Sequence, residues 1–391
     1  MSETEVLHVT YRFRSERPTG HLIFGQCWVP WAVLRQPKEV LALLSAATGR
    51  ADGHRGGGEA VSAERFPHTS DEGDLHRMLE APRELGLLAC DADRVRGMVL
   101  YLHGLHSNSS FELLDPDRPG GLRRQYAGSV VESLNRAGYV VFAHDHMGHG
   151  RTLTAQGRGD WRVVDRFQTL EVDAMTHLRL VREAVLGAAA TTADHASPPP
   201  PPTFVMGESM GGLLAFHVMR RFRQQVLLPN ARGSSGGGGV VFISAALQPP
   251  ANLFGLKGRI LYSLSGIVSA VFPRYDAIQI PGCVKFPDIQ REFENDPQTH
   301  RGKLKARLGA EIIQAQQASA RHIDSADYSF LALYGTDDNL VDPRAVGELL
   351  QRSPSKDKSV IYLDGMWHVL LHEPKGPEAR QRVLEWIQAR S

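Results

Sequence analysis

Phe204-Val205-Met206-Gly207-Glu208-Ser209-Met210-Gly211-Gly212 runs three strand-forming apolar residues directly into a Gly-x-Ser-x-Gly turn, and Leu213, Leu214, Phe216, Val218 and Met219 follow at helical spacing. Strand, sharp turn, helix is the reading. Such a turn holds its serine in a strained backbone conformation and admits only small neighbours, which accounts for Gly207 and Gly211. It lifts the Ser209 hydroxyl above a sheet edge and turns the next amide, Met210 N–H, toward a developing oxyanion. A glycine-rich turn with a chance serine is the bland alternative. The strand before it and the helix after it argue against that.

A serine at neutral pH is a weak nucleophile and needs a base, and the base needs a group to orient it. Chains that use this turn supply them in the order Ser, Asp or Glu, His. Phe330 to Gly335 reads as a buried strand running into Thr336-Asp337-Asp338-Asn339-Leu340-Val341-Asp342-Pro343, and Val360 to Leu363 as the next strand, followed by Asp364-Gly365-Met366-Trp367-His368. Acid and histidine thus lie past the C-terminal ends of strands, where open α/β sheets carry their sites. Which aspartate serves is left open at this point. His368 read alone is an ordinary loop histidine; its place in the triad order favours catalysis.

Working outward, Gly97 to Leu102 is a strand that opens into His103-Gly104-Leu105-His106-Ser107-Asn108-Ser109. The His-Gly pair lets the backbone turn so that Leu105 N–H becomes a second oxyanion donor, with His103 and Gly104 bordering the substrate pocket; losing one such donor typically costs ~3 kcal/mol. Tyr126, Val130, Leu134 and Ala137 recur at helical spacing and Gly138 closes that helix. Tyr139 to Ala143 is a further buried strand, leading into His144-Asp145-His146-Met147-Gly148-His149-Gly150-Arg151. The three histidines invite a metal reading, but they sit on a turn rather than on one helix face, so hydrogen bonding within the loop is favoured and no metal is expected. Phe167, Leu170, Ala174, Leu178, Val181 and Val185 mark a long amphipathic helix.

The chain has 391 residues, enough for one large α/β domain with insertions, and a net charge of +1 with no basic tract, which gives no hint of a nucleic-acid partner. Cys27, Cys90 and Cys283 lie far apart without paired spacing, so neither a disulfide framework nor a zinc site is expected. Met1 to Glu5 lacks the basic and apolar regions of a secretory signal, and no apolar run approaches the ~20 residues of a membrane span. A cytoplasmic protein is the expectation. Tyr11 to Pro30 reads as an antiparallel hairpin turning at Gly20, and residues 31–95 as an insertion between the second and third strands, with a short helix around Leu41, Leu43 and Leu44 and a loop from Gly49 to Gly58. Pro198 to Pro202 and Gly233 to Gly239 read as expanded surface loops.

The stretch between Ile243 and Phe330 far exceeds the usual ~2–6 residue connection and is expected to carry structure of its own. Leu253, Phe254, Leu256, Ile260, Leu261, Leu264, Ile267, Val268, Val271 and Phe272 make its first part unusually apolar, with Lys257, Arg259 and Arg274 on the flanks. Packing on the core and covering an acyl-chain pocket are compatible roles for such a segment. The expected division is 1–246 for the first part of the core, 247–326 for a cap and 327–391 for the rest of the core.

From about Gly97 to the end the chain resembles the monoacylglycerol lipase family of α/β-hydrolases. The resemblance is carried by Tyr101-Leu102-His103-Gly104, by Val141 to Gly150, by Gly207 to Gly212, by Gly335-Thr336-Asp337-Asp338, by Gly365-Met366-Trp367-His368 and by Asn295-Asp296-Pro297. It implies a mostly parallel eight-stranded sheet flanked by helices, an inserted helical cap, Asp338 rather than Asp337 as the acid, and hydrolysis without metal or organic cofactor. It also implies a lipid ester substrate, of monoacylglycerol type, with lysophospholipase, thioesterase or general carboxylesterase activity as the alternative; a non-catalytic binding protein on the same fold is disfavoured by the intact Ser209, Asp338 and His368. Where the animal members of the family carry a glutamate and an arginine toward the glycerol end, this chain has Ser107 and Phe111.

If Ile260 and Leu264 line a tunnel and the flanking cations rest on a membrane surface, Ile260→Asp or Leu264→Asp is expected to slow hydrolysis of long-chain esters much more than of a short soluble ester. Equal losses on both substrates would reduce the segment to a packing role.

Overall fold

The computed structural model describes residues 6–16, 21–36, 63–65, 79–80, 89–152, 164–187, 200–228, 237–248 and 266–391. Six parallel strands form its centre: β5 (Gly97–Leu102), β6 (Tyr139–His144), β7 (Thr203–Glu208), β8 (Gly238–Ile243), β9 (Phe330–Gly335) and β10 (Lys358–Leu363). The first five are buried along their whole length, which is why they read as near-continuous apolar runs. The hairpin of β1 (Val6–Arg14) and β2 (Leu22–Pro30) is antiparallel and joins the sheet through β2 against β6. The order is β10-β9-β8-β7-β5-β6-β2-β1. Those are the eight strands expected. Two short strands from the 31–95 insertion, β3 (Ala63–Arg65) and β4 (Leu79–Glu80), extend the sheet beyond them by pairing with β1. Their backbone partners occupy what would otherwise be a bare edge.

Helices cover both faces. On one side α1 (Ser109–Leu113), α2 (Val130–Arg136) and the later α8 (Gly376–Gln388) surround a core of Tyr101, Phe204, Met206 and Trp386; on the other, α3 (Phe167–Leu186) and α4 (Met210–Val226) bury Leu170, Leu178, Leu213 and Phe216. The periodicity anticipated α3 well. At α2 it reached too far back: Tyr126 lies before the helix, and Ser129 caps it by accepting the Glu132 N–H at 3.2 Å. The chain then leaves α2 through Gly138 at a φ of 89°, a left-handed exit that favours glycine.

The connection from β8 to β9 includes a helical turn at 266–271, a ribbon pairing 276–278 with 304–305, α5 (Pro287–Asn295) and α6 (Ala306–His322), while α7 (Arg344–Arg352) follows β9. Ile260, Leu264, Lys257 and Arg259 lie outside the described residues, as do Gly20, Leu41, Leu43, Leu44 and Gly49 to Gly58. α5 is tied to the core by one buried ion pair. Arg123 Nε donates to Glu292 Oε2 at 2.9 Å and its Nη1 to the Phe111 carbonyl at 3.0 Å, while the guanidinium stacks 4.0 Å over the Phe111 ring. Glu292 Oε1 also accepts the Gly120 N–H at 3.1 Å, and Arg124 pairs with Asp296 at 3.0 Å.

Arg123→Met strands the Glu292 carboxylate in a dry interior, and breaking such a pair from one side costs about 3–5 kcal/mol. A lowered urea midpoint is expected, with part of the loss recovered in Arg123→Met/Glu292→Gln. A double variant no better than the single one would show that stacking on Phe111, not charge pairing, carries the contribution.

Candidate active site

Ser209 occupies the joint between β7 and α4 with φ 53° and ψ −116°, a conformation that non-glycine residues rarely adopt. Its N–H donates to Ile243 O at 2.9 Å, and its own carbonyl accepts from Gly212, Leu213 and Ala246 N–H at 3.0 to 3.2 Å. A Cβ at Gly211 would collide with the Leu102 carbonyl, and one at Gly207 with the Gly211 carbonyl. The glycines therefore permit the close approach of β7, α4 and the end of β5. Met210 opens α4, so its N–H belongs to the first-turn donors that have no intrahelical acceptor.

The loop after β5 is held from two directions. Gly104 N–H donates to Glu112 Oε1 at 2.8 Å, and the position of a Gly104 Cβ lies 3.3 Å from Ser209 Cβ. His146 N–H donates to His103 Nε2 at 2.9 Å, so the His103 proton is on Nδ1, which donates to the Gly104 carbonyl at 2.8 Å. That carbonyl shares its peptide plane with Leu105 N–H, so the ring sets the direction of this amide. His103 is fully buried with both ring nitrogens occupied; it holds the loop from beneath, where the sequence suggested a pocket wall.

His103 is the last member of a file of buried rings. His146 Nε2 reaches the His103 carbonyl at 3.0 Å, His146 Nδ1 lies 3.3 Å from His144 Nε2, His144 Nδ1 lies 3.2 Å from His177 Nδ1, and His177 Nε2 meets the Tyr11 hydroxyl. A carbonyl only accepts, so with every ring neutral donation runs one way, from Tyr11 through His177 and His144 to His146. Burial, the largest influence, holds His103, His144, His146 and His177 below the ordinary histidine range, His144 at about 4. Asp145 accepts from Ser109 N–H at 2.9 Å and from Arg151 N–H at 2.7 Å, and His149 Nδ1 lies 3.1 Å from Met147 O. The segment thus hydrogen-bonds within the protein, and no group of three His, Cys, Asp or Glu among the described residues is arranged to hold a metal.

Past β9 and β10 the two aspartates part company. Asp338 Oδ2 lies 2.7 Å from His368 Nδ1, and its Oδ1 accepts from Leu340 N–H at 2.8 Å. Asp337 faces outward and pairs with Lys285, which also donates to Gly365 O at 2.6 Å. His368 is buried. Burial draws its pKa down, but the Asp338 charge and hydrogen bond, with Glu373 and Glu112 beyond, outweigh that and leave it raised. Glu373, which the motifs did not single out, accepts Trp367 N–H at 2.5 Å and Val369 N–H at 2.7 Å and so fixes the turn that carries His368. A cavity of about 300 Å³ between α3, α4 and α6, lined by Glu171, His217, Arg220 and Glu311 among others, includes none of these residues.

A parallel sheet in this order, with a strained serine turn after the fifth strand from the hairpin edge and an Asp–His pair past the last two strands, defines an α/β-hydrolase. A family model described as serine aminopeptidase, S33, matches residues 121–375. The chain belongs to that family, and it is a hydrolase. It is 26% identical over 260 residues to the monoglyceride lipase of Rattus norvegicus, covering 66% of this chain and 75% of the relative. It is also 26% identical to the monoacylglycerol lipase of Mycolicibacterium smegmatis, covering 66% and 81%. Among solved structures, the Paleococcus ferrophilus monoacylglycerol lipase superposes with a TM-score of 0.56 at 21% identity over 76% of this chain and 95% of the other. A thermostable carboxyl esterase from Bacillus coagulans does so with a TM-score of 0.60 at 14% identity over 98% of each.

Two outcomes are expected from this geometry. Asp338→Asn is expected to lower kcat by about 10⁴-fold and Asp337→Asn by far less, since only the former orients His368; a crippled Asp337→Asn beside an active Asp338→Asn would reverse the assignment. A base must be unprotonated to act, so a raised His368 pKa places the acid limb of kcat/KM above the ordinary histidine value of ~6.5. A limb at or below that value in the parent enzyme would contradict the electrostatics described.

Proposed function

We propose that the protein is a serine carboxylic-ester hydrolase that cleaves monoacylglycerol-type single-chain lipid esters through an acyl-enzyme. The observation that carries this reading is the 2.7 Å contact of His368 Nδ1 with Asp338 Oδ2, in the sheet that also presents Ser209. Ser209 Oγ attacks the ester carbonyl while His368 Nε2 takes its proton, and the N–H groups of Leu105 and Met210 receive the oxyanion. His368 then returns the proton to the leaving alcohol, and water activated by the same imidazole releases the fatty acid. Asp338 keeps the proton of the neutral imidazole on Nδ1 and stabilises the imidazolium.

The names of the lipase relatives support the choice of ester, and the apolar character of 253–272 supports a long acyl chain. Ile267, Val271, Phe272 and Tyr275 are exposed on the same connection, which supports reversible contact with a lipid surface. No helix among the described residues is long and apolar enough to cross a membrane. Cys27, Cys90 and Cys283 are all free thiols, which supports a reducing, cytoplasmic setting.

A hydrolysis panel of monoacylglycerols, lysophospholipids, acyl-CoAs and an aminoacyl anilide, run on the parent and on Ser209→Ala, tests the reading. The highest kcat/KM is expected on a monoacylglycerol, with no turnover and no fluorophosphonate labelling in Ser209→Ala. Preference for the lysophospholipid or the thioester would move the substrate class and keep the mechanism, whereas turnover by Ser209→Ala would end the mechanism as well.

A further inference from the structure

Directly beside the serine turn lie two buried carboxyl groups that the mechanism above does not use. Glu112, on α1, is 2% exposed, and Glu208, the residue before Ser209, is 3% exposed. Glu112 receives two donors: Gly104 N–H on Oε1 at 2.8 Å and the Tyr101 hydroxyl on Oε2 at 3.0 Å. Its carbonyl accepts from His372 Nε2 at 2.8 Å, in the loop after His368. Glu208 Oε2, in contrast, is buried without a hydrogen-bond partner. Two ionised carboxylates cannot stand side by side in such surroundings, so one of them carries a proton. The donors decide which. A carboxylate that already accepts an N–H and an O–H is stabilised as an anion; one with an unpartnered oxygen is not.

We propose that Glu112 is a positioning residue for the oxyanion loop, ionised and holding Gly104 N–H, and that Glu208 beside it is kept as the neutral acid. The inference rests on the reading of Leu105 N–H as an oxyanion donor. Glu112 fixes one end of the Gly104 residue through its N–H, as His103 fixes the other through its carbonyl, so the Leu105 amide is set before substrate arrives. The groups facing this pair are Tyr101, Arg123, His368, Glu373 and Asp338. Burial pushes both carboxyl groups up, and on Glu112 the hydrogen bonds from Gly104 and Tyr101 pull the other way. In the ionised state Glu112 also adds negative charge near His368, one of the influences that raise the imidazole. Neither residue belongs to the motifs that carry the chemistry, apart from Glu208 as the variable position of Gly-x-Ser-x-Gly.

The test uses hydrolysis of p-nitrophenyl butyrate by the full chain together with infrared spectra of the carboxyl region. Glu112→Leu is expected to lose about 100-fold in kcat, the loss typical of a misplaced oxyanion donor, with KM within about twofold. Glu112→Gln, whose amide oxygen still accepts from Gly104 N–H, is expected to recover at least about tenfold of that loss. A leucine variant with kcat within about threefold of the parent overturns the proposal, as does a glutamine variant equally slow. Should the leucine variant not fold, the spectra decide: Glu208→Gln is expected to lose a protonated-carboxyl band at neutral pH that Glu112→Gln keeps. Any other pattern overturns the assignment of the proton. A parent enzyme that neither hydrolyses esters nor takes a fluorophosphonate label ends the functional reading instead, and the infrared result still stands on its own.

Discussion

Ser209 holds a backbone conformation that costs of order 1–3 kcal/mol, and the geometry around it exists to keep that conformation in place. The bonds from Ser209 N–H to Ile243 O and from Ala246 N–H to Ser209 O clamp the residue between β7 and β8. α4 begins on its carbonyl, and the end of β5 presses on Gly211. The serine turn is therefore a contact among three neighbouring strands and one helix. Its strain is offset by burial of the whole sheet, since none of these strands can shift without unpairing its neighbours.

The loops above the sheet follow a different rule. They lack ladders of their own, so their backbone N–H groups need other acceptors, and buried acids supply them. Glu112 holds Gly104, Glu373 holds Trp367 and Val369, Asp145 holds Ser109 and Arg151, and Glu292 holds Gly120. Glu112 and Glu373 fix segments that carry candidate site residues, whereas Glu292 ties α5 to the core. The file of neutral rings from Tyr11 to His103 does the same from below, and it works only while burial keeps the imidazoles uncharged.

Membership of the serine aminopeptidase, S33 family makes the chain a hydrolase, and the likeness to lipase and esterase structures shows the fold. They reach less far toward the substrate. Ser107 and Phe111 stand where the resemblance would place charged groups, and Phe111 is covered by Arg123, whose guanidinium is spent on Glu292 and on tying α5 to the core. Ser209, Asp338 and His368 all follow the C-terminal ends of strands of the one sheet.

Local chemistry made much of this legible in the amino-acid order. Runs such as Val140-Val141-Phe142 and Leu331-Ala332-Leu333 are strands wherever they are buried on two faces, and a Gly-x-Ser-x-Gly between strand and helix has few other uses. The position of His368 after the last strand followed from the same alternation. What the order of residues by itself could not decide was which of two adjacent aspartates turns inward. Asp337 and Asp338 are chemically identical; one meets Lys285 at the surface and the other meets His368, and only the packed loop distinguishes them. The same holds for His144 and His146, which His177 and Tyr11 join in one hydrogen-bonded file, and for Arg123 with Glu292, 169 residues apart. Partners that distant leave no period in the sequence, because their pairing is imposed by the crossing of strands and helices and not by neighbouring backbone.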